Sequence, residues 1–410
     1  MSMILRKEAP KQAPGKEFRL AHSISCHAWN ADFSQIALCP NDNTVLIYAT
    51  NDSEDSSKWT KLHTLTEHDE VVSAIDWSPA TNMIVTCGHD RNAYVWNLDE
   101  QTNQWQPTLV ILRINRAANK VRWSADGSKF AVASSAKQVP VCHYQPEYNW
   151  WVSKMIKKHK SSVLDVAWHP NGKFLLTGGS DFKCRVFSAY IEEVDSLADA
   201  AQFADKYPKY DKFGQVMAEL DVATTGSGAG AGWIESVAWS PDGMRGAFVS
   251  HDSAISFFSI HPDFPDTPLQ VIKFNHLPFT TVEFLSDSAV VAAGYDANPE
   301  VYVLKCNEFE VVDTLDGKEP EKKEEKTQTS RFAAARSMFG AMSSRGSAKA
   351  SKSESVKTRH QNGIVEIRLL NKPLEFEHNT ARFTTAGIDG RILFWDLNKI
   401  AGIDVASLRI

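Results

Sequence analysis

The chain has 410 residues, of which 43% are hydrophobic, and a formal net charge of −6 at pH 7. A charge this small gives no general signal for binding to nucleic acid or to an anionic membrane surface. No apolar run approaches the roughly 18–20 residues of a membrane span, and the N-terminus lacks the apolar core of a secretory signal. We therefore expect a cytosolic protein. Its six cysteines are scattered and never form CxxC, so we expect reduced thiols and no metal site.

The N-terminal residues 1–17 are rich in Pro and Lys and predict an extended segment. Residues 18–25 predict an outer strand that would complete the last sheet of the chain and close a ring of sheets. The runs CHAWN, QIALCP and TVLIYA then follow, and they predict three further strands. These three runs form the first of several similar units.

Residues 67–98 show this unit most clearly. Three short alternating runs are separated by a Ser-Pro turn and a Gly-His-Asp turn, which are typical turn sequences. His68 precedes the first run, Thr86 lies on the second, Asp90 follows in the turn, and Trp96 lies on the third. Since buried polar groups need partners, this spacing predicts one hydrogen-bonded network inside a small sheet. Such a sheet cannot bury both faces alone and needs neighbours.

The same unit recurs along the chain. The residues that close successive first strands are Trp29, Trp77, Trp123, Trp168, Trp239, Phe284 and Leu369. Most of the intervals between them are 45–48 residues, which matches one propeller blade. Two longer intervals, of 71 and 85 residues, indicate insertions after the fourth and sixth units. Seven units are therefore predicted.

The polar positions of the unit repeat at fixed offsets. The equivalent residues are His159, Thr177, Asp181 and Phe187 in the fourth unit, and His360, Thr385, Asp389 and Trp395 in the seventh. We interpret these groups as structural networks, in preference to metal ligands or catalytic dyads. The third unit has no Asp near Gln138, and the sixth has Ala292 and Tyr302 in place of Thr and Trp. We expect those two units to rely more on packing.

The first insertion spans residues 192–232. It contains a helical pattern, VDSLADAAQFADKY, followed by an aromatic segment and a Gly-rich run at residues 224–232. That run superficially resembles a phosphate-binding loop, but it lacks the GK[ST] ending and precedes a strand where a nucleotide loop would open a helix. We therefore predict a flexible connector, and no cofactor.

The second insertion spans residues 316–359. A mixed-charge linker comes first, and residues 327–360 then carry seven Lys or Arg residues against one Glu. Residues 329–345 predict a protruding helix, because strong helix formers follow a Thr/Ser start. A stripe about 120° wide on this helix is apolar. It is formed by Phe332, Ala335, Met338, Phe339 and Met342, with Arg331 at its first turn.

This helix is the candidate partner-binding element, because Phe and Met in a stripe suit a hydrophobic groove on a protein. The candidate binding residues are Arg331, Phe332, Arg336, Met338, Phe339 and Met342. Three alternatives remain open: a membrane-surface helix, a nucleic-acid patch, and a stripe that packs on the blades of the chain itself.

The chain as a whole resembles the WD-repeat family, whose signature dipeptide stands at Trp395-Asp396. This resemblance implies an all-β fold, a seven-bladed β-propeller of four-stranded antiparallel blades around a central channel. A narrower resemblance rests on the strings CHAWN, LRINRAA, NWWVSK, CRVFSAYI and VVAAGYD and on the terminal SLRI. These strings are similar to the WD-repeat subunit of the actin-related protein 2/3 complex.

The narrower resemblance implies that residues 1–410 form one propeller, a non-catalytic scaffold subunit of a seven-subunit assembly that nucleates branched actin filaments. Its partners would be actin-related proteins and the other subunits, in the cytoplasmic actin cytoskeleton. The 329–345 helix would contact actin or nucleation-promoting factors. The alternative is an unrelated WD-repeat adaptor that presents proteins to a modifying enzyme. Catalysis is not expected, because no paired carboxylates, HExxH motif or nucleophile elbow occurs in the sequence.

Overall fold

Seven antiparallel sheets form the part of the protein that the computed structural model describes, namely residues 18–195, 212–221, 232–260, 269–316, 358–370 and 381–399. Six sheets have four strands, and the seventh has three within the described residues. Each sheet is built from strands that are consecutive in the sequence, so the predicted seven-bladed β-propeller is confirmed. We number the blades 1–7 in chain order.

Each of the first four blades is a meander of four strands. Blade 1 contains β1 (Cys26–Trp29), β2 (Gln35–Cys39), β3 (Val45–Ala49) and β4 (Thr60–Leu65). Blade 2 contains β5 (Val72–Trp77), β6 (Ile84–Gly88), β7 (Asn92–Asp99) and β8 (Gln104–Ile111). Blade 3 contains β9 (Ala118–Trp123), β10 (Lys129–Ser134), β11 (Val139–Gln145) and β12 (Trp150–Ile156). Blade 4 contains β13 (Val163–Trp168), β14 (Phe174–Gly179), β15 (Lys183–Ser188) and β16 (Val216–Asp221).

The remaining three blades follow the same plan. Blade 5 contains β17 (Ile234–Trp239), β18 (Arg245–Ser250), β19 (Ala254–Ser259) and β20 (Leu269–Lys273). Blade 6 contains β21 (Phe279–Ser286), β22 (Ala289–Gly294), β23 (Glu300–Lys305) and β24 (Glu308–Thr314). Blade 7 contains β25 (Ile364–Leu369), β26 (Arg382–Gly387) and β27 (Ile392–Asp396).

The first strand of every blade lies at the centre of the ring. Each first strand contacts the first strand of the next blade, and β25 contacts β1, which closes the ring. Apolar side chains fill the space between blades; the cluster between blades 7 and 1 joins Trp29 and Ile36 to Ala386 and Ile392. Fully burying one large apolar side chain contributes roughly 1.5–3 kcal/mol. These contacts therefore stabilise sheets that could not bury both of their faces without neighbours.

Residues 18–25 cross the end of blade 7 and form no strand, so the predicted outer strand is wrong. Instead, the backbone N–H of Leu20 donates to the carbonyl oxygen of Gly390, in the turn after β26, at 2.9 Å. The approach is so close that a Cβ on Gly390 would lie 1.9 Å from the carbonyl oxygen of Ala21, and the φ of Gly390 is +76°. Only glycine meets both conditions without strain. The segment therefore ties the entry of blade 1 to a turn of blade 7.

The sequence predicts that the last strand of the fourth unit runs past Tyr190 and that the sixth unit ends at Leu304, and both predictions are wrong. Strand β15 ends at Ser188, and the outer strand of blade 4 is Val216–Asp221, inside the predicted first insertion. Blade 6 continues past Leu304 into Glu308–Thr314. Outer strands give a weak signal because they are largely exposed, and β24 buries only one of its seven residues.

Candidate functional site

The four polar positions of blade 2 form one hydrogen-bonded network. His68 Nδ1 lies 2.7 Å from Asp90 Oδ2, and His68 Nε2 lies 2.8 Å from Thr86 Oγ1. Trp96 Nε1 donates to the same hydroxyl oxygen at 3.0 Å. Burial is the largest single effect on the pKa of Asp90 and raises it, but the hydrogen bond and charge of His68 together with the backbone N–H donors of Asn92 and Asp69 outweigh burial, so the pKa is lowered. The network thus links the segment before the blade to its second and third strands.

Blade 7 brings its four equivalent residues together in the same way. His360 Nδ1 lies 3.1 Å from Asp389 Oδ1, and its Nε2 lies 2.7 Å from Thr385 Oγ1. Trp395 Nε1 donates to the hydroxyl oxygen of Thr385 at 2.8 Å. Asp389 also accepts the backbone N–H of Gln361 at 2.8 Å. Its carboxylate therefore accepts hydrogen bonds both from the imidazole and from the backbone of the segment that enters the blade.

Blade 4 departs from this arrangement, because Arg185 lies between His159 and Asp181. Its Nη1 is 3.1 Å from His159 Nδ1 and donates to Asp181 Oδ2 at 2.9 Å, whereas the histidine and the carboxylate are 3.9 Å apart. Burial, and then the charge of Arg185, lower the pKa of His159 to about 4. Thr177 Oγ1 lies 3.1 Å from His159 Nε2, and Phe187 packs its ring 5.5 Å from the imidazole. The predicted direct hydrogen bond between Asp181 and His159 is thus absent, and the guanidinium of Arg185 bridges the two side chains instead.

A further network joins blades 1 and 7, and the sequence analysis missed it. His27 Nε2 lies 3.0 Å from Thr384 Oγ1, and Trp29 Nε1 donates to the same oxygen at 2.9 Å. The hydroxyl belongs to β26 and the other two side chains to β1, so the first and last blades share a buried polar contact. Because this contact joins two different repeats, no residue spacing within a single repeat predicts it.

Charged side chains from opposite sides of the ring meet in the central channel. The fully buried carboxylate of Glu366, on β25, accepts from Lys120 Nζ at 2.8 Å, and guanidinium nitrogens of Arg122 and Arg368 each approach it to 3.3 Å. Burial is the largest single effect on the pKa of Glu366 and raises it, but the charges of Arg368, Lys120 and Arg122 and the hydrogen bond with His27 together outweigh burial. Its pKa therefore lies well below the ordinary value of 4.5. Blades 3 and 7 are joined across the channel.

Arg368 connects this channel network to blades 1 and 2. Its Nη1 donates to Asp76 Oδ1 at 2.7 Å, its Nη2 to the carbonyl oxygen of Ile75 at 2.6 Å, and its Nε to that of His27 at 3.0 Å. All three nitrogens of the guanidinium thus have acceptors in the ring. Because these acceptors belong to two different blades, Arg368 holds the ring closed as well as neutralising Glu366.

The sequence carries a signal for this channel. Charged and apolar residues alternate in KVRW and VEIRL, where Lys120, Arg122, Glu366 and Arg368 stand two residues apart. Alternate residues of a strand share one face, so these pairs could have been placed together in the channel once β9 and β25 were recognised as inner strands. Their partners could not be deduced, because Lys120 and Glu366 are 246 positions apart.

The candidate partner-binding residues lie outside the described residues. These are Arg331, Phe332, Arg336, Met338, Phe339 and Met342, and the Gly-rich run up to residue 231 lies outside them as well. Within the described ranges, no cluster of three or more His, Cys, Asp or Glu side chains could hold a metal ion. In the same ranges no helix is both long and apolar enough to cross a membrane. All six cysteines are free thiols, and only Cys306 is exposed.

Comparison with known proteins places these features in a family. The family model described as WD domain, G-beta repeat matches residues 59–97 and 150–188, which fall largely in blades 2 and 4. The chain is 41% identical over 384 residues to actin-related protein 2/3 complex subunit 1A of Arabidopsis thaliana, covering 93% of this chain and 96% of the relative.

Two further relatives come from other organisms. Actin-related protein 2/3 complex subunit 1A-B of Xenopus laevis is 39% identical over 95% of this chain and 98% of its own length. Actin-related protein 2/3 complex subunit 1 of Schizosaccharomyces pombe is 35% identical over 90% of this chain and 96% of its own length. Nearly the whole propeller is therefore shared with each of them. The chain belongs to the family of actin-related protein 2/3 complex subunit 1.

Proposed function

We propose that this chain is a non-catalytic scaffold subunit of an actin-related protein 2/3 complex and supports nucleation of branched actin filaments. One observation carries the proposal: relatives named as subunit 1 of that complex, from a plant, a frog and a yeast, are 35–41% identical over at least 90% of the chain. The closed ring is consistent with a scaffold, since polar and charged networks tie blade 7 to blades 1, 2 and 3.

The proposal includes partners and a place in the cell. The direct partners are actin-related proteins and the other subunits of a seven-subunit assembly, in the cytoplasm at the actin cytoskeleton. The second insertion, residues 316–359, is the part that contacts actin or nucleation-promoting factors. Its apolar stripe and its excess of Lys and Arg residues support a contact with an acidic protein surface.

Co-purification tests the assembly directly. The full chain is tagged at its native level of expression, and the proteins that copurify are quantified by mass spectrometry. We expect two actin-related proteins and the remaining subunits in amounts equal to the chain, with a second tagged WD-repeat protein as the control. Enrichment of a modifying enzyme without actin-related proteins would favour the adaptor function instead.

A further inference from the structure

A cavity of about 240 Å³ lies where the central channel reaches the ends of the first strands. Trp29 and Trp77, which end β1 and β5, line it together with Asp76, Glu283 and Arg368. Its volume is below the roughly 300 Å³ at which sites for drug-sized molecules begin. The cavity is therefore of a size for a single side chain.

The sequence explains why space remains at this level of the channel. The residue immediately before each closing residue lies at one level of the ring; these residues are Ala28, Asp76, Arg122, Ala167, Ala238, Glu283 and Arg368. Three of the seven are alanines, which leave the channel unfilled on their side. The other four are charged, so the space that remains is bordered by ions.

Glu283, on β21, is the one carboxylate lining the cavity for which the described residues supply no hydrogen bond or ion pair. Asp76, by contrast, accepts from Arg368 at 2.7 Å and from the backbone N–H of Trp123 at 2.7 Å. Burial raises the pKa of Glu283 to about 7, although Arg122 and Arg368 act in the opposite direction. A carboxylate in this position lacks the donor that would stabilise its charge.

The arginine that lines the cavity does not make it an anion site. Arg368 already donates from all three of its nitrogens, to Asp76 and to the carbonyl oxygens of Ile75 and His27. An anion would have to displace these acceptors, whereas a cation could use the free carboxylate of Glu283. The balance of charge also favours a cation. Four channel carboxylates (Asp76, Asp165, Glu283 and Glu366) face three cations (Lys120, Arg122 and Arg368).

We propose that this cavity binds the cationic side chain of an arginine or lysine carried by a peptide segment of a partner protein. Glu283 accepts hydrogen bonds from the guanidinium or ammonium group. Trp29 and Trp77 lie beside the cation, where aromatic faces attract it. This proposal does not depend on the assembly proposed above, because it rests on the channel alone.

A peptide fits better than a free amine, because apolar side chains form part of the cavity wall beside the charged ones. Ala28, Phe33, Pro79 and Leu369 contribute to the lining and could cover the hydrocarbon stem of a long side chain. Asn30 and Pro79 follow the first strands of blades 1 and 2, so the loops at the end of the channel border the cavity. A peptide backbone could lie across these loops while its side chain enters.

The test measures binding of Nα-acetylarginine N-methylamide to the full chain by calorimetry and tryptophan fluorescence. At pH 8 we expect the arginine probe to bind, and its neutral analogue with citrulline to bind at least tenfold more weakly. Glu283→Gln should weaken arginine binding at least tenfold, while Glu310→Gln, on the exposed outer strand of the same blade, should leave it unchanged. Melting curves of both variants establish that they are folded.

The pH dependence of arginine binding is a second test, because it reports the ionisation of Glu283. The groups around it are Lys120 and Arg122 on β9, Asp165 on β13 and Arg368 on β25. With its pKa at about 7, the ionised fraction falls roughly tenfold between pH 8 and pH 6, and the apparent affinity should fall by the same factor. The lack of arginine binding at about 10 mM would overturn the proposal, as would equal binding by Glu283→Gln. Spermidine binding with the same dependence on Glu283 would overturn the peptide assignment.

Discussion

Lys120 and Glu366 form an ion pair across the central channel, with Nζ 2.8 Å from Oε1, although they belong to blades 3 and 7. The carboxylate is fully buried and the ammonium nearly so. A buried ion pair is weak support for stability by itself, because desolvation offsets the attraction. Removing one partner is different, since it leaves the other charge buried without compensation.

Glu366→Gln should therefore destabilise the propeller. The substitution keeps the shape of the side chain but leaves Lys120, Arg122 and Arg368 without their shared carboxylate. We expect a loss of about 3–5 kcal/mol in the free energy of unfolding, measured by urea denaturation of the full chain at pH 7. Glu310→Gln is the control, because it removes an exposed pair with Lys305 that contributes about 0–1 kcal/mol.

The pH dependence of this effect follows from the lowered pKa of Glu366. The group binds its proton less readily in the folded than in the unfolded chain, so its contribution is complete above the ordinary value of 4.5. It is lost as the pH falls through the lowered pKa. The difference between wild type and Glu366→Gln should therefore be constant from pH 6 upward and shrink in acid. A difference that grew in acid would contradict this account.

Glu283→Gln should have the opposite effect on stability. The pKa of Glu283 is raised to about 7, so burial of its charged form costs stability above the ordinary value of 4.5. The cost grows as the pH rises to about 7 and is constant beyond it. We expect the variant to gain about 1–3 kcal/mol in the free energy of unfolding at pH 8. The gain should vanish below pH 4.5, where the wild-type carboxyl is neutral in both states.

Asp389→Ala should destabilise blade 7. The carboxylate accepts from His360 and from the backbone N–H of Gln361, and each donor left unsatisfied in a buried site costs about 1–3 kcal/mol. We expect a lower melting temperature of the full chain, measured by circular dichroism. Glu54→Ala is the matched control, because Glu54 pairs with Arg382 at an exposed site. Equal melting temperatures for Asp389→Ala and wild type would contradict the structural role of the network.

Asp181→Ala should cost less than Asp389→Ala. In blade 4 the histidine hydrogen-bonds to Arg185, not to the aspartate, and Arg185 also donates to Glu219 Oε2 at 2.8 Å. The guanidinium therefore keeps an acceptor when Asp181 is removed. A matched pair of melting curves tests the order of the two effects. A larger loss for Asp181→Ala would show that Arg185 depends on Asp181 more than this geometry implies.

The repeat fixed much of the fold in advance. Seven closing residues predicted seven blades, and the offsets of His68, Thr86, Asp90 and Trp96 predicted the hydrogen-bonded network that blade 2 contains. These predictions succeed because each concerns residues within one blade, where sequence spacing and distance in space are closely related. The same offsets placed Asp181 beside His159 but gave no sign that Arg185 would lie between them.

Contacts between blades could not be predicted in this way. Thr384 meets His27, and Glu366 meets Lys120, across hundreds of positions, so no local pattern encodes either contact. The outer strand Val216–Asp221 was not predicted for a different reason. About thirty residues separate it from the end of β15, the preceding strand of blade 4. Outer strands are also more exposed than inner ones, so they need fewer apolar residues and their alternation is weaker.

No nucleotide binding is expected of the purified chain, despite the Gly-rich run at residues 224–232. That run lacks the Lys and the Ser or Thr that a phosphate loop uses to hold the phosphates and the metal ion. Calorimetric titration with ATP and Mg²⁺ should give no saturable heat. Saturable binding that is abolished by Gly228→Ala with Gly230→Ala would contradict the proposed non-catalytic role.

The second insertion should carry a distinct part of the proposed function. Phe332 and Phe339 supply two anchors of the apolar stripe, and burying each contributes roughly 1.5–3 kcal/mol. Two such anchors suffice for a transient contact with a filament, so Phe332→Ala with Phe339→Ala should lower the number of branches per unit length of filament. Microscopy with pyrene-actin assays measures this on the assembled complex. Ser337→Ala, on the opposite face of the predicted helix, is the matched control.

Melting curves decide between this role and a stripe that folds back on the chain's own blades. If the stripe contacts a partner, the complex with both Phe residues replaced should stay intact and melt like the wild type, because no packing inside the propeller is lost. If the stripe packs on the blades, the same substitution removes buried apolar surface, and the melting temperature should fall. Unchanged branching with a lowered melting temperature would therefore assign the stripe to the propeller and contradict its contact with actin.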